Sequence, residues 1–174
     1  DNVPPPPVER PASDAPVDLD SVVVKTFLTP GAGGATANTA PWRAATIGAA
    51  NGHGNARSVA TIQAVVSNGG VSKGVKLLSP ETLEVIFEQQ SDGPDLAIFQ
   101  PYRFGIGYAL ANPADMLGIT SGRCCFWGGW GGSIVLNDLD NRITVSYVMN
   151  RMQNGILGNE TSAALLAEYR SIVS

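Results

Sequence analysis

One segment limits the fold more than any other: Phe126-Trp127-Gly128-Gly129-Trp130-Gly131-Gly132-Ser133, four glycines in eight residues. Residues Cys124 to Leu136 around it read as one long glycine-broken strand. Glycine inside a strand costs conformational entropy and supplies no side chain to pack, so bare backbone must be needed there. Two needs would account for it. A ligand could lie against the strand edge and bond its main-chain groups, or the strand could bulge or twist sharply against a closing helix. The residues alone leave both open.

The segments on either side give the fold class. Ile143, Val145, Tyr147 and Met149 alternate with Thr144, Ser146 and Val148, the period of a half-buried strand, after a turn at Asn137 to Asn141. Arg103 to Leu110 reads as a further strand containing Gly105 and Gly107. Asn159 opens a closing helix whose apolar stripe is Leu165, Leu166, Tyr169, Ile172 and Val173. Upstream, Asn55 caps a helix running to Val66, with Val59, Ile62, Val65 and Val66 at helical spacing, and Asn68-Gly69-Gly70 stops it. Ser79-Pro80-Glu81 starts another, with Leu83, Ile86 and Phe87 on its buried face. The expectation is an α+β fold: three antiparallel strands, a C-terminal helix packed on them and helices from a helical region. Such a sheet is small for 174 residues and leaves an edge open to partners. No internal repeat is visible.

The first sixteen residues hold six prolines, four of them consecutive from Pro4 to Pro7. That run favours extended polyproline conformation, so residues 1–20 are expected to be a linker from something preceding. Residues 21–174 are then one portion of a single domain. Order is expected to begin near Asn51, and Pro30 to Ala50 reads as a long ordered loop.

Composition removes several functional classes. A net charge of −4 repels phosphate backbones, and no Lys/Arg cluster overrides it, so nucleic acid is not an expected partner. No apolar stretch approaches the ~20 residues of a membrane-spanning helix, and none is expected. Asp1 to Arg10 has neither a basic region nor an apolar core of a signal peptide, which prefers the cytoplasm over export. A chain opening on Asp1-Asn2 without Met is nevertheless expected to have lost its true beginning. Cys124 and Cys125 are adjacent, poor geometry for a mutual disulfide, and read as small buried hydrophobes. One histidine and no spaced ligand pairs argue against zinc. No metal and no cofactor is expected.

Four stretches together carry a family resemblance: N-G-H-G-N-A-R-S-V-A at Asn51 to Ala60, F-G-I-G-Y at Phe104 to Tyr108, W-G-G-W-G-G-S at Trp127 to Ser133, and S-Y-V-M-N-R-M at Ser146 to Met152. In this order they resemble the C-terminal half of the β-lactamase and penicillin-binding-protein superfamily of serine hydrolases. In detail the chain is similar to the family VIII carboxylesterases, which are themselves like class C β-lactamases. The resemblance covers nearly everything after Thr39.

That superfamily builds its site from S-x-x-K, a Tyr-x-Asn-like or Tyr-x-Ser loop, and Lys-Thr-Gly on an edge strand. The resemblance places the third motif on Trp127-Gly128-Gly129. It implies that the backbone N–H of Trp130 supplies half of an oxyanion hole, where one donor is worth ~3 kcal/mol. Trp127, Gly128, Gly129 and the loop residue His53 are the implied substrate contacts. The other motifs are absent: Ser21 meets lysine one position too late, at Lys25. Tyr169-Arg170-Ser171 fits Y-x-S but lies on the closing helix, a coincidence. The resemblance therefore implies an N-terminal fragment or chain of the same enzyme, bearing S-x-x-K and the Tyr, as partner. Alone, this chain is expected to be inactive and to aggregate or bind that other half.

Trp127 stands where a β-lactamase keeps a lysine for the substrate carboxylate. Losing that charge-assisted bond weakens anionic substrates by about 1.5–3 kcal/mol, while an indole face favours acyl or aryl groups. The expected substrate is a small-molecule carboxylic ester, hydrolysed through an acyl-enzyme. An acyltransferase, a β-lactamase or D-amino-acid peptidase on the same fold, and a non-catalytic binding domain are the alternatives.

The remaining candidates read more plainly. His53 fits either the cleft or an ordinary loop histidine bonded to backbone. Arg57 fits a solvated helix position. Gly105 and Gly107 lack the helix of a nucleotide loop. Asp138 and Asp140 lack the later Gly and Glu of a calcium loop and read as a turn. Asn159-Glu160-Thr161 matches a glycosylation sequon, but Asn159 equally makes a helix cap, and the cap is preferred.

Overall fold

The computed structural model describes residues 18–28, 34–153, 155 and 157–173. Most of the expected proline-rich linker lies outside them. Among the described residues the chain forms α1 (Val22–Leu28), a 3₁₀ turn (Gly34–Asn38), α2 (Ala40–Ala44) and α3 (Ala56–Ser67). A two-stranded hairpin, β1 (Val71–Ser72) and β2 (Val75–Lys76), leads to α4 (Pro80–Ile86). Six strands follow: β3 (Ser91–Pro94), β4 (Pro101–Phe104), β5 (Ala109–Leu110), β6 (Cys124–Gly128), β7 (Ile134–Asp138) and β8 (Ile143–Tyr147). Helix α5 (Glu160–Val173) closes the chain.

The α+β expectation holds, and the three main helices start on their caps. Asn55 accepts from the Ser58 N–H at 2.9 Å while the Ser58 hydroxyl accepts from the Asn55 N–H at 3.0 Å. Ser79 caps α4 through the Thr82 N–H at 3.2 Å, with Pro80 in the first turn where its missing N–H costs nothing. Asn159 caps α5 through the Ser162 N–H at 3.0 Å.

The sheet differs from the expected one. It has six strands, all antiparallel, in the sequential order β3-β4-β5-β6-β7-β8. Arg103 to Leu110 is two strands and not one. The Gly105 N–H donates to the Tyr108 carbonyl at 3.0 Å and Gly107 sits at φ +80, so the chain reverses between them. A Cβ on Gly105 would lie 2.1 Å from the Ile86 carbonyl oxygen, which is why that strand end carries glycine. Cys124 to Leu136 is likewise a hairpin, because Gly131 (φ +93) and Gly132 (φ +120) cannot continue a strand. Order also begins before Asn51. Val22–Leu28 is helical, and inside the expected loop Thr39 caps α2 with Pro41 in its first turn.

Both faces of the sheet are covered. Phe126, Leu136 and Ala109 pack with Leu166 of α5 on one face. Cys125 and Leu110 pack with Val66 of α3 and with Leu83 and Ile86 of α4 on the other. Successive residues of β6 point to opposite faces, so Cys124-Cys125-Phe126 is buried throughout and shows no alternation. Burying Phe126 alone contributes roughly 1.5–3 kcal/mol. The β6–β7 hairpin is thereby fixed between two helical layers, and its turn projects from one end.

Candidate active site

The ladder hydrogen bonds show which way each backbone group of β6 points. The Gly129 N–H donates to the Ser133 carbonyl at 2.8 Å and the Leu139 N–H to the Arg123 carbonyl at 3.0 Å. Odd-numbered residues of β6 therefore bond toward β7. The Ala111 N–H donates to the Cys124 carbonyl at 3.2 Å, so even-numbered residues bond toward β5. Strand β5 is only Ala109–Leu110, and its last pair toward the turn is Ala109 with Phe126. Gly128 thus directs its N–H and C=O past the end of β5. Although β6 is an inner strand and not the expected edge strand, its last residue has no strand partner on the β5 side among the described residues.

Beyond Gly128 the chain makes a tight turn. The Gly132 N–H donates to the Gly129 carbonyl at 3.1 Å, which makes Gly129-Trp130-Gly131-Gly132 a β-turn. Gly131, the third residue, has φ +93 as a type II turn requires. Trp130 is the second residue, and its N–H is not used by the turn's own bond. It has no acceptor among the described residues, and the residue is 47% exposed. The sequence motif thus sets a free main-chain donor beside an unpaired strand edge.

The glycines divide into two kinds. A Cβ on Gly128 would come within 3.1 Å of Leu157 and Gly158 backbone, one on Gly131 within 2.9 Å of Met152, and one on Gly132 within 1.8 Å of the Asn159 amide nitrogen. Gly131 and Gly132, which also hold positive φ, are required by the segment after β8 and by the cap of α5, so the packing account is correct for those two, while Gly128 is closely packed against the same segment. Gly129 is different: a Cβ there would meet nothing closer than Ser133 Cβ at 3.9 Å.

Trp127 is half-buried and packs with two aromatic rings of β4. Its ring centroid lies 5.7 Å from that of Tyr102 in an edge contact and 5.3 Å from that of Phe104. Tyr102 and Phe104 are themselves 5.6 Å apart. Such pairs add about 0.5–1.5 kcal/mol beyond area burial. Trp127, Gly128, Gly129 and Trp130 lie on this hairpin, and the rings of Tyr102 and Phe104, which the sequence reading does not single out, adjoin Trp127. The alternation in Pro101-Tyr102-Arg103-Phe104 was the available signal. His53 stands in the exposed loop before α3. Its Nδ1 lies 2.9 Å from the Asn51 carbonyl oxygen and its Nε2 3.2 Å from that of Ala37, and neither bond reaches the hairpin.

Residues Phe126 to Ser133 contain no titratable side chain, so the hairpin offers neutral groups only: backbone donors, the indole N–H groups of Trp127 and Trp130, the Ser133 hydroxyl (which donates to Met149 Sδ at 2.7 Å) and apolar surface. The Tyr-x-Ser match on α5 is structural: the Tyr169 hydroxyl donates to Asp138 Oδ2 at 2.8 Å. Cys124 and Cys125 are buried free thiols. Among the described residues no helix is long and apolar enough to cross a membrane, and no cluster of His, Cys, Asp and Glu could hold a metal.

The family model described as Beta-lactamase matches residues 1–168. The chain belongs to the β-lactamase family. Among curated proteins it is 31% identical over 132 residues to "Esterase/beta-lactamase LipL" of Mycobacterium tuberculosis (strain ATCC 25618 / H37Rv), covering 74% of this chain and 29% of that protein. Among solved structures it is similar to a family VIII carboxylesterase, with a TM-score of 0.73 and 28% identity over 84% of this chain and 39% of the other. It is also similar to a penicillin-binding protein homolog from Caulobacter crescentus, with a TM-score of 0.70 and 28% identity over 77% of this chain and 36% of the other. The chain spans between 29% and 39% of the lengths of these β-lactamase-like proteins. The fold and superfamily implied by the four sequence stretches are the ones found.

Proposed function

We propose that this chain forms the oxyanion strand and acyl pocket of a serine hydrolase acting on neutral carboxylic esters. The supporting observation is the Trp130 N–H, unbonded in a turn that is held next to the unpaired edge of Gly128. The nucleophilic Ser, its Lys and the Tyr belong to a part of the enzyme that pairs with this one. The Ser hydroxyl, losing its proton to the Lys–Tyr base, adds to the ester carbonyl carbon. The oxygen that gains the charge sits between the Trp130 N–H and the N–H of the nucleophile itself. Collapse breaks the acyl carbon–alkoxide bond, the alcohol leaves with the proton, and water then hydrolyses the acyl-enzyme by the same steps. Trp127 and Phe104, backed by the buried Tyr102, offer the acyl or aryl group an apolar wall without a cation. A neutral ester therefore suits this site better than an anionic lactam.

The test replaces one backbone atom. Proline fits the second position of a type II turn, so Trp130→Pro removes the N–H and keeps the turn. Trp130→Ala removes the indole and keeps the N–H. With the S-x-x-K-bearing part present, kcat on p-nitrophenyl esters is expected to fall about 10²–10³-fold in the proline variant and far less in the alanine one. Equal rates in both would remove Trp130 from the oxyanion role. Nitrocefin turnover exceeding ester turnover in the unaltered enzyme would assign a β-lactamase, and alcohol-dependent product an acyltransferase. Binding without turnover would make it a non-catalytic domain.

A further inference from the structure

Asn159 does more than cap α5. Its Oδ1 accepts from the Ser162 N–H at 3.0 Å, and its own N–H donates to the Ser162 hydroxyl at 2.7 Å. Those bonds complete the helix cap. The remaining half of the amide points elsewhere: Nδ2 donates to the Gly131 carbonyl at 3.1 Å. That carbonyl also accepts from the Gln153 N–H at 3.0 Å, and the Gly131 N–H donates to the Gly155 carbonyl at 2.9 Å. Gly132 has no side chain in the volume the amide occupies, since a Cβ there would lie 1.8 Å from Nδ2.

Peptide planarity carries this contact to the free donor. The Gly131 C=O and the Gly132 N–H belong to one rigid peptide unit. Asn159 holds its oxygen, and its N–H donates to the Gly129 carbonyl at 3.1 Å. The Gly129 C=O and the Trp130 N–H belong to the next rigid unit in this relay. One hydrogen bond therefore separates the plane held by Asn159 from the plane that aims the Trp130 N–H. The platform behind it is firm: Ser162 and Leu166 of α5 are both completely buried.

We infer that Asn159 is a positioning residue, fixing the direction of the Trp130 N–H by tethering the Gly131 carbonyl to the first turn of α5. The catalytic half of this inference rests on the oxyanion role proposed above; the tether itself does not. Serine caps helices as well as asparagine does but has no amide to reach Gly131. Asn159→Ser therefore separates the two functions without adding charge, and Asn159→Asp keeps the capping oxygen while placing a carboxylate against the Gly131 carbonyl.

Two readouts distinguish the outcomes. In the assembled enzyme with this chain labelled with ¹⁵N, the Trp130 N–H order parameter is expected to fall from the rigid value of about 0.85 toward 0.6 in Asn159→Ser. The melting temperature should stay within a few degrees, because the cap survives. In the assembled enzyme, kcat on p-nitrophenyl esters is expected to fall about ten- to a hundred-fold. KM should stay within about two-fold, as for an interaction made only in the transition state. An unchanged order parameter and unchanged kcat in Asn159→Ser would overturn the inference. So would a loss confined to Asn159→Asp, which would reveal a charge effect and no tether. If the order parameter falls but the unaltered assembly neither turns over esters nor labels with a phosphonate, the tether stands and the esterase reading fails.

Discussion

The β6–β7 ladder has two ends that treat polar groups in opposite ways. At the Cys124–Asp138 end, side chains bond one another and the backbone, although the buried Arg123 Nε has no partner among the described residues. Asp138 accepts from the Asn141 N–H and the Asn141 amide, both at 2.9 Å, and from the Tyr169 hydroxyl at 2.8 Å. Asp140 accepts from the Arg123 N–H at 2.7 Å, while the Arg123 guanidinium meets Glu84 at 2.6 Å and lies 4.8 Å above the Phe87 ring. At the Gly128–Ile134 end, four of seven residues are glycine and a main-chain N–H is left without an acceptor among the described residues. Buried polar groups are costly to leave unpaired, whereas an exposed N–H can wait for a ligand. The closed end anchors the two strands to α4 and α5, so that the open end can present bare backbone in a fixed place.

The largest effect should come from the glycines at the open end. Gly132→Ala puts a Cβ against the Asn159 amide at φ +120, and is expected to cost roughly 3 kcal/mol in chemical denaturation. Gly129→Ala, three residues away, meets only Ser133 Cβ at 3.9 Å and should change stability by less than about 1 kcal/mol. Equal costs would mean that the turn is not clamped by the α5 cap, and the contrast between the two ends would lose its basis.

A smaller effect is expected at the closed end. Burial pushes the Asp138 carboxyl up, but hydrogen bonds from Asn141, Tyr169 and Cys124 outweigh it and hold the carboxyl below its usual range. A depressed folded value means that the unfolded chain takes up the proton first. The stabilisation is therefore present above about pH 4, the ordinary aspartate value, and is lost as pH falls through the folded value. Denaturant midpoints measured from pH 6 to pH 3 should decline, and Asp138→Asn should flatten that decline. Asp115 works in the opposite direction, because burial raises its carboxyl, so the difference between the two proteins isolates Asp138. Tyr169→Phe should cost about 1.5–3 kcal/mol at neutral pH by removing one bond to the carboxylate. No change would show that α5 is not fastened at this end.

Much of this was legible in the sequence where the signal is local. The caps Asn55, Ser79 and Asn159 act on the third residue after them, so α3, α4 and α5 start where the residues say. Alternation marked β8, and the motif itself brought out Trp127, Gly128, Gly129 and Trp130. The hairpins were not legible. Glycine accepts both signs of φ, so a run of it does not distinguish a strand from a reversal, and the turns at Gly105–Gly107 and Gly129–Gly132 look like continuous strand in the sequence. The β1–β2 turn carries only half of the usual signal, since Gly74 (φ 80) is a turn residue but Lys73 (φ 47) is not a residue type that announces left-handed backbone. Tyr102 and Phe104 join Trp127 through pairings between strands, which no local period encodes. The second role of Asn159 depends on where α5 starts in space relative to Gly131, and its neighbours in the chain carry no trace of it.

The smallest expected effect is a chemical silence at the closed end. Cys124 and Cys125 are adjacent on β6 and face opposite cores, so they cannot approach each other for a disulfide. Burial pushes both thiols up to about 12, helped at Cys124 by the charges of Asp138 and Asp140 and opposed at Cys125 by the Asn137 amide. At pH 8 the reactive thiolate is then on the order of one part in ten thousand. Iodoacetamide should leave the folded chain unmodified for hours and alkylate two sites once denaturant unfolds it, with both sites appearing together. Reaction of Cys124 alone under native conditions would show the Asp138–Tyr169 end opening by itself. In that case the rigidity of the open end could not be attributed to the anchoring at the other.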